Sequence, residues 1–309
     1  MSSLPIRQPF CNNHGRHYCS DQQIGWGGKV SSEFRLDRYL ERIRVGRTVA
    51  PDLPTLKCLH AAHVAAIPFE ALDPLLGRPV RLDIASLQGK LVDSRRGGYC
   101  HEQNSLFKAA LEAIGFKATA LGARVRWVYP PESPLGPRTH MLLLVDLPEG
   151  RFIADVGYGV CVMDAPLEFK IGVEQRTAMG TYRLAEAEGL LWLSAKQPNG
   201  WRTMYAFNLE PQIPADFELA NYYTSTSPNV VFTSTLIVER VGHDNRHKIV
   251  NRRFMIEARD GQLLSEQILE SAEELATVLD KTFGVTPPAP ADELLSRIRA
   301  SGGFSEALR

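Results

Sequence analysis

Hydrophobic positions recur at helical spacing through the first third of the chain. After Phe34, apolar residues stand three and four positions apart, and Ser32 is the expected N-cap of that helix. Pro68 is expected to end the next helix, and Gly115 suits the left-handed C-cap of a later one. The helices predicted after the first cover residues 54–66, 83–93 and 101–114.

The pattern changes to short strand-like runs in the middle of the chain. Segments rich in β-branched and aromatic residues predict strands over 118–129, 139–147, 151–158, 181–185, 190–196 and 201–208. Beyond them we expect a helix over 214–224, strands within 230–270, and helices over 271–284 and 291–300. The fold class is therefore predicted to be α+β, with a helical first third and a β-rich middle.

Residues 1–32 differ from the rest of the chain. They are polar and lack hydrophobic periodicity, so we predict a flexible extension. Four residues in this segment are of the types that bind zinc, but zinc ligands usually stand in pairs on separate turns, and these are packed more tightly. They are Cys11, His14, His17 and Cys19. We therefore predict no metal site.

Composition restricts the partners of the chain. Lys and Arg together number 35, as do Asp and Glu, so the formal net charge is zero and neither nucleic acid nor an anionic membrane is favoured. The sequence contains no run of about 18 apolar residues, so no membrane span is predicted. The five cysteines are odd in number and scattered, which indicates a reduced, cytoplasmic chain rather than a disulfide framework.

Cys100 is the first candidate for chemistry. It follows Gly97 and Gly98 and opens a predicted helix, whose free N–H groups favour a thiolate and can also hold an oxyanion. Arg95 and Arg96 are expected to hold the loop before it by hydrogen bonds, and contact with the phosphates of a cofactor is the alternative. Taken alone, a cysteine at this place is more often a buried structural residue than a nucleophile.

Two polar residues in apolar strands are candidate partners for Cys100. His140 stands in the run THMLLLV and Asp155 in IADVGYG, where a carboxylate needs a partner to be tolerated. A hairpin with the four-residue loop Asp146–Glu149 would place the two residues directly opposite each other. A two-residue turn at Glu149–Gly150 would offset them by four positions, so the pattern permits the contact without requiring it.

If these three side chains meet, their roles follow from their chemistry. Asp155 would orient His140 and stabilise its imidazolium, His140 would take the proton of Cys100, and the thiolate would attack a carbonyl.

Several motifs, in order along the chain, resemble the arylamine N-acetyltransferase family. The most specific is RGGYCHEQN at 96–104. The others are IPFEALD (67–73), ARVRW (123–127), the Thr-His of THMLLLV, DVGYG (155–159), YAFNLEPQ (205–212) and YYTSTSP (222–228). The resemblance covers about residues 34–270. It implies that Cys100, His140 and Asp155 form a catalytic triad.

The resemblance also implies an architecture: an N-terminal helical bundle, a central β-barrel and a C-terminal α/β lid around a cysteine-protease-like catalytic core. The corresponding segments are 1–32 as the flexible extension, 33–117 as the bundle that carries the nucleophile, 118–212 as the barrel that carries histidine and aspartate, and 213–309 as linker helix and lid.

The implied activity is transfer of an acetyl group from acetyl-CoA, a co-substrate, to an arylamine or arylhydrazine acceptor, with no metal. The implied mechanism is ping-pong, through an acetyl-cysteine. The same triad would equally serve a cysteine hydrolase, a transglutaminase-like enzyme or an amide synthase.

The resemblance further implies residues that bind acceptor and CoA. Phe69 matches a pocket-wall position, and Thr226 and Ser227 match the loop near the cofactor. Positions that line the cleft are matched by Trp127, Val128, Gly159 and Phe207. Ala71 departs from the family, which usually has asparagine there, so no polar role is carried over to it.

Other candidates have simpler interpretations. His60 and His63 share one face of a predicted helix and are interpreted as a surface pair. His243 and His247 are interpreted as part of a solvated turn, and Cys161 as a packing residue.

Overall fold

The computed structural model describes residues 34–46 and 48–298. Its helices are α1 Leu36–Arg42, α2 Leu53–Ala66, α3 Leu72–Leu75, α4 Ile84–Leu87, α5 Cys100–Ile114, α6 Pro214–Thr226, α7 Ala272–Val278 and α8 Ala291–Arg297. Its strands are β1 Phe69–Glu70, β2 Lys117–Val125, β3 His140–Leu147, β4 Gly150–Ala154, β5 Leu167–Glu168, β6 Glu174–Arg176, β7 Thr181–Ala187, β8 Leu190–Gln197, β9 Gly200–Pro211, β10 Ile237–Val241, β11 Asn245–Val250, β12 Arg253–Ala258 and β13 Leu263–Ile268. The predicted extension, its candidate zinc ligands and Ser32 lie outside the described residues.

Local chemistry sets the ends of the helices. Asp52 caps α2 by accepting a hydrogen bond from the backbone N–H of Thr55 at 2.8 Å. The helix predicted over 101–114 begins one residue earlier, at Cys100, and Gly115 ends it with a φ of 105°. That left-handed conformation suits glycine, so the predicted C-cap is confirmed.

Two predicted helices are divided. The segment predicted as a helix over 271–284 starts as α7 and continues as a π-helical turn at Leu279–Phe283. The segment predicted as a helix over 83–93 starts as α4 and continues as a wider π-helical turn at Gln88–Asp93. Directly after that turn the Ser94 hydroxyl donates to the Gly89 carbonyl at 2.6 Å.

The larger sheet has eight antiparallel strands that curve into a nearly closed barrel. Their order is β5-β4-β3-β2-β9-β8-β7-β6. Alternate residues of β3 point to two different cores: Met141 and Leu143 pack towards the helices, whereas Leu142 and Leu144 pack inside the barrel. By the same alternation His140, at the start of β3, shares the barrel side with Leu142.

The smaller sheet joins a strand from the helical third to four strands from the C-terminal third of the chain. Its order is β1-β10-β11-β12-β13, and its first strand comes from the helical third, where Phe69 pairs with Glu239 and Glu70 with Val238. Helices α7 and α8 cover the sheet with Leu275 and Leu294 in a separate core. The α+β class with a helical part and a barrel is therefore confirmed.

Two strands are shorter than predicted. The strand predicted over 118–129 ends at Val125, because the Arg126 guanidinium turns back and donates to four carbonyls in the following loop. The strand predicted over 151–158 ends at Ala154, after which Asp155 accepts a hydrogen bond from the N–H of Gly157 at 3.0 Å. Such a local side-chain bond replaces strand pairing.

Within the ranges 34–46 and 48–298, every helix is either too short or too polar to cross a membrane.

Candidate active site

Cys100 is the first residue of α5 and is nearly buried. Its sulfur lies 3.6 Å from the Thr139 carbonyl oxygen, beside the start of β3. The loop before it needs glycine: a Cβ on Gly97 would lie 2.0 Å from the Pro68 carbonyl, and one on Gly98 would lie 2.8 Å from the Glu102 carboxylate. The glycine pair therefore permits a close packing that fixes where the helix begins.

His140 and Asp155 are in direct contact. The imidazole Nε2 lies 2.7 Å from a carboxylate oxygen of Asp155, and the two side chains are 2% and 0% exposed. The ring of His140 is held between Tyr158 and Tyr205, with centroid separations of 5.1 and 4.9 Å. Because Asp155 occupies Nε2, the other ring nitrogen, Nδ1, is left for the hydrogen bond to Cys100.

The hairpin that joins them has neither of the two loops considered from the sequence. Strands β3 and β4 pair Leu147 with Gly150 and Leu143 with Ala154, so the turn is the two-residue segment 148–149. Asp155 follows the last paired residue of β4 and contacts His140 diagonally rather than directly opposite. The predicted contact is present, but the predicted loops are wrong because an intermediate register is adopted.

Further residues hold the Asp155 carboxylate. Its second oxygen accepts hydrogen bonds from the Asn104 amide at 2.9 Å and from the backbone N–H of Gly157 at 3.0 Å. Its own backbone N–H donates to Nε2 of His60 at 3.2 Å. Asn104 also binds the Met141 carbonyl at 2.7 Å, so helix α5 and strand β3 are tied together at this carboxylate.

These contacts set opposite charges on the pair. Burial lowers the pKa of His140, but the Asp155 charge and hydrogen bond, with a contribution from Cys100, outweigh it and raise that pKa to about 10. Burial raises the pKa of Asp155, but the His140 charge and the hydrogen bonds to the carboxylate lower it below its ordinary value. The pair is therefore an imidazolium and a carboxylate at neutral pH.

A network of buried charges supports the start of α5. Glu102 lies in the first turn, accepts a hydrogen bond from the backbone N–H of Tyr99 at 3.1 Å and pairs with Lys90 at 2.7 Å. Lys90 also pairs with Asp73 at 2.6 Å. The network continues to Arg96, which contacts Asp73 at 2.9 Å and Glu70 at 2.7 Å. Arg96 thus has the loop-holding role expected of it.

A cleft opens beside Cys100 and His140, with about 950 Å³ of empty space when the open solvent at its mouth is included. Its wall contains Phe69, Trp127, Val128 and Gly159, all of which the sequence singled out. The Cβ that Gly159 lacks would lie 2.9 Å from the Phe69 ring, so this glycine leaves space for the ring.

Three other predicted contacts lie elsewhere. Phe207 is buried in the barrel core against Tyr205, with ring centroids 5.9 Å apart, and is not on the cleft wall. Thr226 ends α6 and its hydroxyl donates to the Tyr222 carbonyl, and Ser227 caps that helix. Both lie between cleft-lining residues rather than on the wall itself.

The sequence interpretation of the helical histidines is wrong. His60 and His63 are fully buried, not on the surface. His63 is held by the Tyr39 hydroxyl at 2.8 Å and the Gln103 amide oxygen at 2.6 Å, so distant polar residues replace water. Burial lowers the pKa of His60 to about 4, which keeps it neutral beside Asp155.

Residues that sequence reasoning missed include Asn104, Lys90 and His60. Asn104 carried a usable signal, since it stands four positions after Cys100 and therefore on the same helix face.

His243 is exposed as expected, whereas His247 pairs within β11 and β12. Cys161 is buried in the barrel core, in agreement with a packing role. Among the described residues, no group of three or more His, Cys, Asp or Glu side chains is placed to hold a metal ion.

Known proteins are similar to this chain in fold and in sequence. The N-acetyltransferase family matches residues 52–289. The arylamine N-acetyltransferase of Mycolicibacterium smegmatis is 38% identical over 254 residues, which are 81% of this chain and 91% of that protein. The Escherichia coli (strain K12) enzyme of the same name is 36% identical over 251 residues, which are 81% and 88% of the two chains.

Solved structures agree with the sequence relatives. The Mycobacterium marinum arylamine N-acetyltransferase in complex with CoA superposes with a TM-score of 0.81 at 35% identity, covering 85% of this chain and 98% of that one. The Salmonella typhimurium structure gives a TM-score of 0.80 at 34% identity, with 85% and 97% covered. This chain therefore belongs to the arylamine N-acetyltransferase family.

The first testable prediction concerns the charge on His140. Asp155→Asn removes the opposing charge, so burial should dominate and the His140 pKa should fall from about 10 to below 6.5. Imidazole NMR signals should show a protonated ring from about pH 6 to about pH 9 in the wild type and a neutral ring in the variant. His60 serves as the internal reference, because it should stay neutral throughout in both proteins. A His140 ring that titrates near 6.5 in the wild type would contradict this assignment.

The same pair predicts a pH window for stability. The folded-state pKa of His140 is raised, so its contribution to the free energy of unfolding is full below pH 6.5 and is lost as pH rises through about 10. Asp155, whose pKa is lowered, contributes fully above pH 3.8 and loses that contribution at more acid pH. Denaturant titrations of the wild type and Asp155→Asn should therefore differ most between those limits.

A second prediction tests the charge network. Lys90→Met leaves Glu102 buried without its cation, so the free energy of unfolding should fall by about 3 kcal/mol in denaturant titration. Lys281→Met is the matched control, because Lys281 is 78% exposed and its pair with Asp280 should contribute less than about 1 kcal/mol. Equal losses in the two variants would exclude a supporting role for Lys90.

A third prediction separates two glycines of the site. A Cβ on Gly157 would lie 2.8 Å from the Cα of Cys100, whose backbone cannot yield, so Gly157→Ala should lower kcat/KM about 100-fold. In Gly159→Ala the obstacle is the movable Phe69 ring, so the change should appear mainly in KM for the acceptor. Gly136→Ala, which also lines the cleft but has nothing within 4 Å of the added Cβ, is the control. Steady-state kinetics that rank the three variants differently would refute this packing argument.

Proposed function

We propose that this protein transfers acetyl groups from acetyl-CoA to arylamines and arylhydrazines by a ping-pong mechanism, with Cys100, His140 and Asp155 as its catalytic triad. The observation that supports this most is the 2.7 Å contact between His140 and Asp155 at the foot of a cleft that Cys100 also lines. Family membership supports an acetyl donor and an arylamine acceptor, since the relatives are named arylamine N-acetyltransferases and one of them is solved in complex with CoA.

In the first half-reaction Cys100 is acylated. In the resting site His140 already holds, at Nδ1, the proton given up by the Cys100 thiol, and the sulfur attacks the thioester carbonyl of acetyl-CoA. As the tetrahedral intermediate collapses, the carbon–sulfur bond to CoA breaks and CoA leaves as its thiol with the proton from His140. Asp155 stabilises the imidazolium and keeps the ring oriented throughout.

In the second half-reaction the acetyl group moves to nitrogen. The neutral amine attacks the acetyl carbonyl on Cys100, and His140 accepts and keeps the proton that the nitrogen loses. The bond between the acetyl carbon and the cysteine sulfur then breaks, which releases the amide and restores the starting state of the site. An aromatic amine suits this step, because it is weakly basic and therefore uncharged at neutral pH. Phe69 and Trp127 offer apolar surface on which a flat ring can pack.

The oxyanion of each half-reaction needs hydrogen-bond donors. Cys100 is the first residue of α5, so its backbone N–H lies at the positive end of the helix and has no intrahelical acceptor. We assign this N–H as one oxyanion donor. A donor of this kind typically contributes about 100-fold or more to kcat.

The cleft also offers a path for CoA. Val128 and Gly159 line it, and Thr226 and Ser227 lie beside its lining residues Thr224 and Asn229. We propose that the pantetheine arm follows this wall to Cys100. The reaction requires reduced Cys100, which agrees with our proposal of a cytoplasmic location.

We retain the segment division as a proposal: a bundle over 33–117, a barrel over 118–212, and a linker helix and lid over 213–309. The pairing of β1 with β10 makes the first and last segments share one sheet. They are therefore expected to unfold together rather than as separate domains.

Acylation can be observed directly by mass spectrometry. When the protein is mixed with acetyl-CoA and no amine, its intact mass should rise by one acetyl group, and peptide mapping should place that group on Cys100. Cys100→Ala should gain no mass, and Asp155→Asn should be acylated at least about 100-fold more slowly.

Addition of an arylamine should then restore the original mass and release the N-acetylated amine. Cys161→Ala and Cys58→Ala are controls for nonspecific acylation, because both cysteines are free thiols in the described residues. No labelling by acetyl-CoA would exclude this function. Fast loss of the acetyl group to water without amine would favour a hydrolase instead.

A further inference from the structure

Glu239 is a buried acid that the proposed reaction leaves without a role. It lies on β10 directly opposite Phe69 of β1, and it is 4% exposed. Neither of its carboxylate oxygens has a hydrogen-bond partner among the described residues. A buried carboxylate without partners is costly, so its presence indicates that something other than stability favours it here.

Glu239 lies on the wall of the cleft that holds Cys100 and His140. Ile237, two residues earlier on β10, lines the same cleft, as expected for alternate residues of one strand. Among the lining residues that the structure describes, Glu239 is the acidic one; the others are mainly apolar or aromatic. Glu239 therefore borders this cleft and also a second, smaller cavity, and both of its carboxylate oxygens are shielded from water.

The neighbouring cations are engaged by other acceptors, except that Nε of Arg246 has no hydrogen-bond partner among the described residues. Lys248 stands directly opposite Glu239 on β11, but its ammonium contacts Glu257 at 2.6 Å and the Val160 carbonyl at 2.9 Å. Arg246, on the same strand, donates to the Met179 carbonyl and the Tyr182 hydroxyl. Glu239 is thus near positive charge without forming a hydrogen bond to it.

Glu239 has a pKa close to neutral pH. Burial raises its pKa, Lys248 lowers it, Glu257 raises it and Arg246 lowers it, and the result is about 7. In water-excluded surroundings, a hydrogen bond from a bound molecule to this group would relieve the cost of its burial.

We propose that Glu239 is a specificity-determining residue of the acceptor pocket and binds a hydrogen-bond donor, a hydroxyl or amino group, on the aromatic acceptor. This inference rests on the function proposed above. The reacting amine must approach Cys100, so the ring extends along Phe69 and its substituents face β10. An acceptor with a carboxylate at that place is repelled, and one with only a methyl group leaves Glu239 unpaired.

A site built to bind a polar group rejects the apolar analogue far more strongly than an apolar pocket rejects an additional group. The matched acceptors are 4-aminophenol with 4-methylaniline and 3-aminophenol with 3-methylaniline, since hydroxyl and methyl are similar in size. The quantity measured is the ratio of kcat/KM for the hydroxyl compound to that for the methyl compound. Electronic effects on the amine cancel when this ratio is compared between protein variants.

The expected result is a loss of preference when the acid is removed. For at least one of the two pairs, Glu239→Leu should lower the ratio about 10-fold or more, and Glu239→Gln, whose amide oxygen still accepts a hydrogen bond, should lower it less. Ile237→Val is the control: it enlarges the same wall without changing polarity and should shift both amines together. A ratio that stays within about twofold of the wild type in both Glu239 variants would overturn the inference.

Thermal unfolding provides a readout that separates binding from structure. Because the folded-state pKa of Glu239 is raised above 4.5, its burial cost grows as pH rises from 4.5 through about 7. Glu239→Leu and Glu239→Gln should therefore raise Tm, and should raise it more at about pH 8 than at about pH 6. A lower Tm in both variants would assign Glu239 a structural role and would also overturn the inference.

Failure of this inference is distinguishable from failure of the proposed function. If acetyl-CoA does not label Cys100 of the wild type, the proposed function fails before Glu239 is tested. If the wild type is labelled and turns over all four amines, but the ratio does not depend on Glu239, only the specificity assignment fails.

Discussion

The buried contact between His140 and Asp155 is the interaction on which the rest of the site depends. Two charged groups excluded from water are stable only when each is paired and the remaining lone pairs are satisfied. Here Asn104, the N–H of Gly157 and the pair partner meet that requirement. Because Asn104 belongs to the helix that Cys100 opens, satisfying the carboxylate also places the sulfur beside the imidazole. Electrostatic stabilisation and catalytic geometry therefore have one structural cause.

Much of this arrangement follows from the sequence because the signals are local. Cys100 before a helical run, Gly115 after it, and the apolar alternation around His140 each depend on a few neighbouring residues. The turn at 148–149, the burial of His60 and the orphan carboxylate of Glu239 could not be predicted in the same way. Each depends on residues distant in the chain. His60, for example, is buried because it accepts a hydrogen bond from the backbone of Asp155 and packs against Phe107. The order of motifs predicts which three residues form the triad, whereas the diagonal contact between His140 and Asp155 depends on the register of the hairpin.

The glycines of the site matter because they lack a side chain and so occupy little space, and not because their backbone is flexible. Gly97, Gly157 and Gly159 each lie where an added Cβ would meet another element at less than 3 Å. The motifs RGGYC and DVGYG thus record the close approach of three segments: the loop before α5, the turn after β4 and the strand that carries Phe69. Family membership and this packing agree, because the segments that resemble known acetyltransferases are those that must touch.

The pairing of β1 with β10 has a consequence for the synthesis of the chain. Phe69 and Glu239 are adjacent in space although more than half of the sequence separates them. Such a long-range contact forms late, since loop closure must precede any gain from pairing. While the C-terminal strands are still in the ribosome, the Phe69 wall of the cleft has no partner. A nascent chain would therefore already contain Cys100, His140 and Asp155 and yet lack a complete cleft wall, so activity should appear only after β10 has left the ribosome.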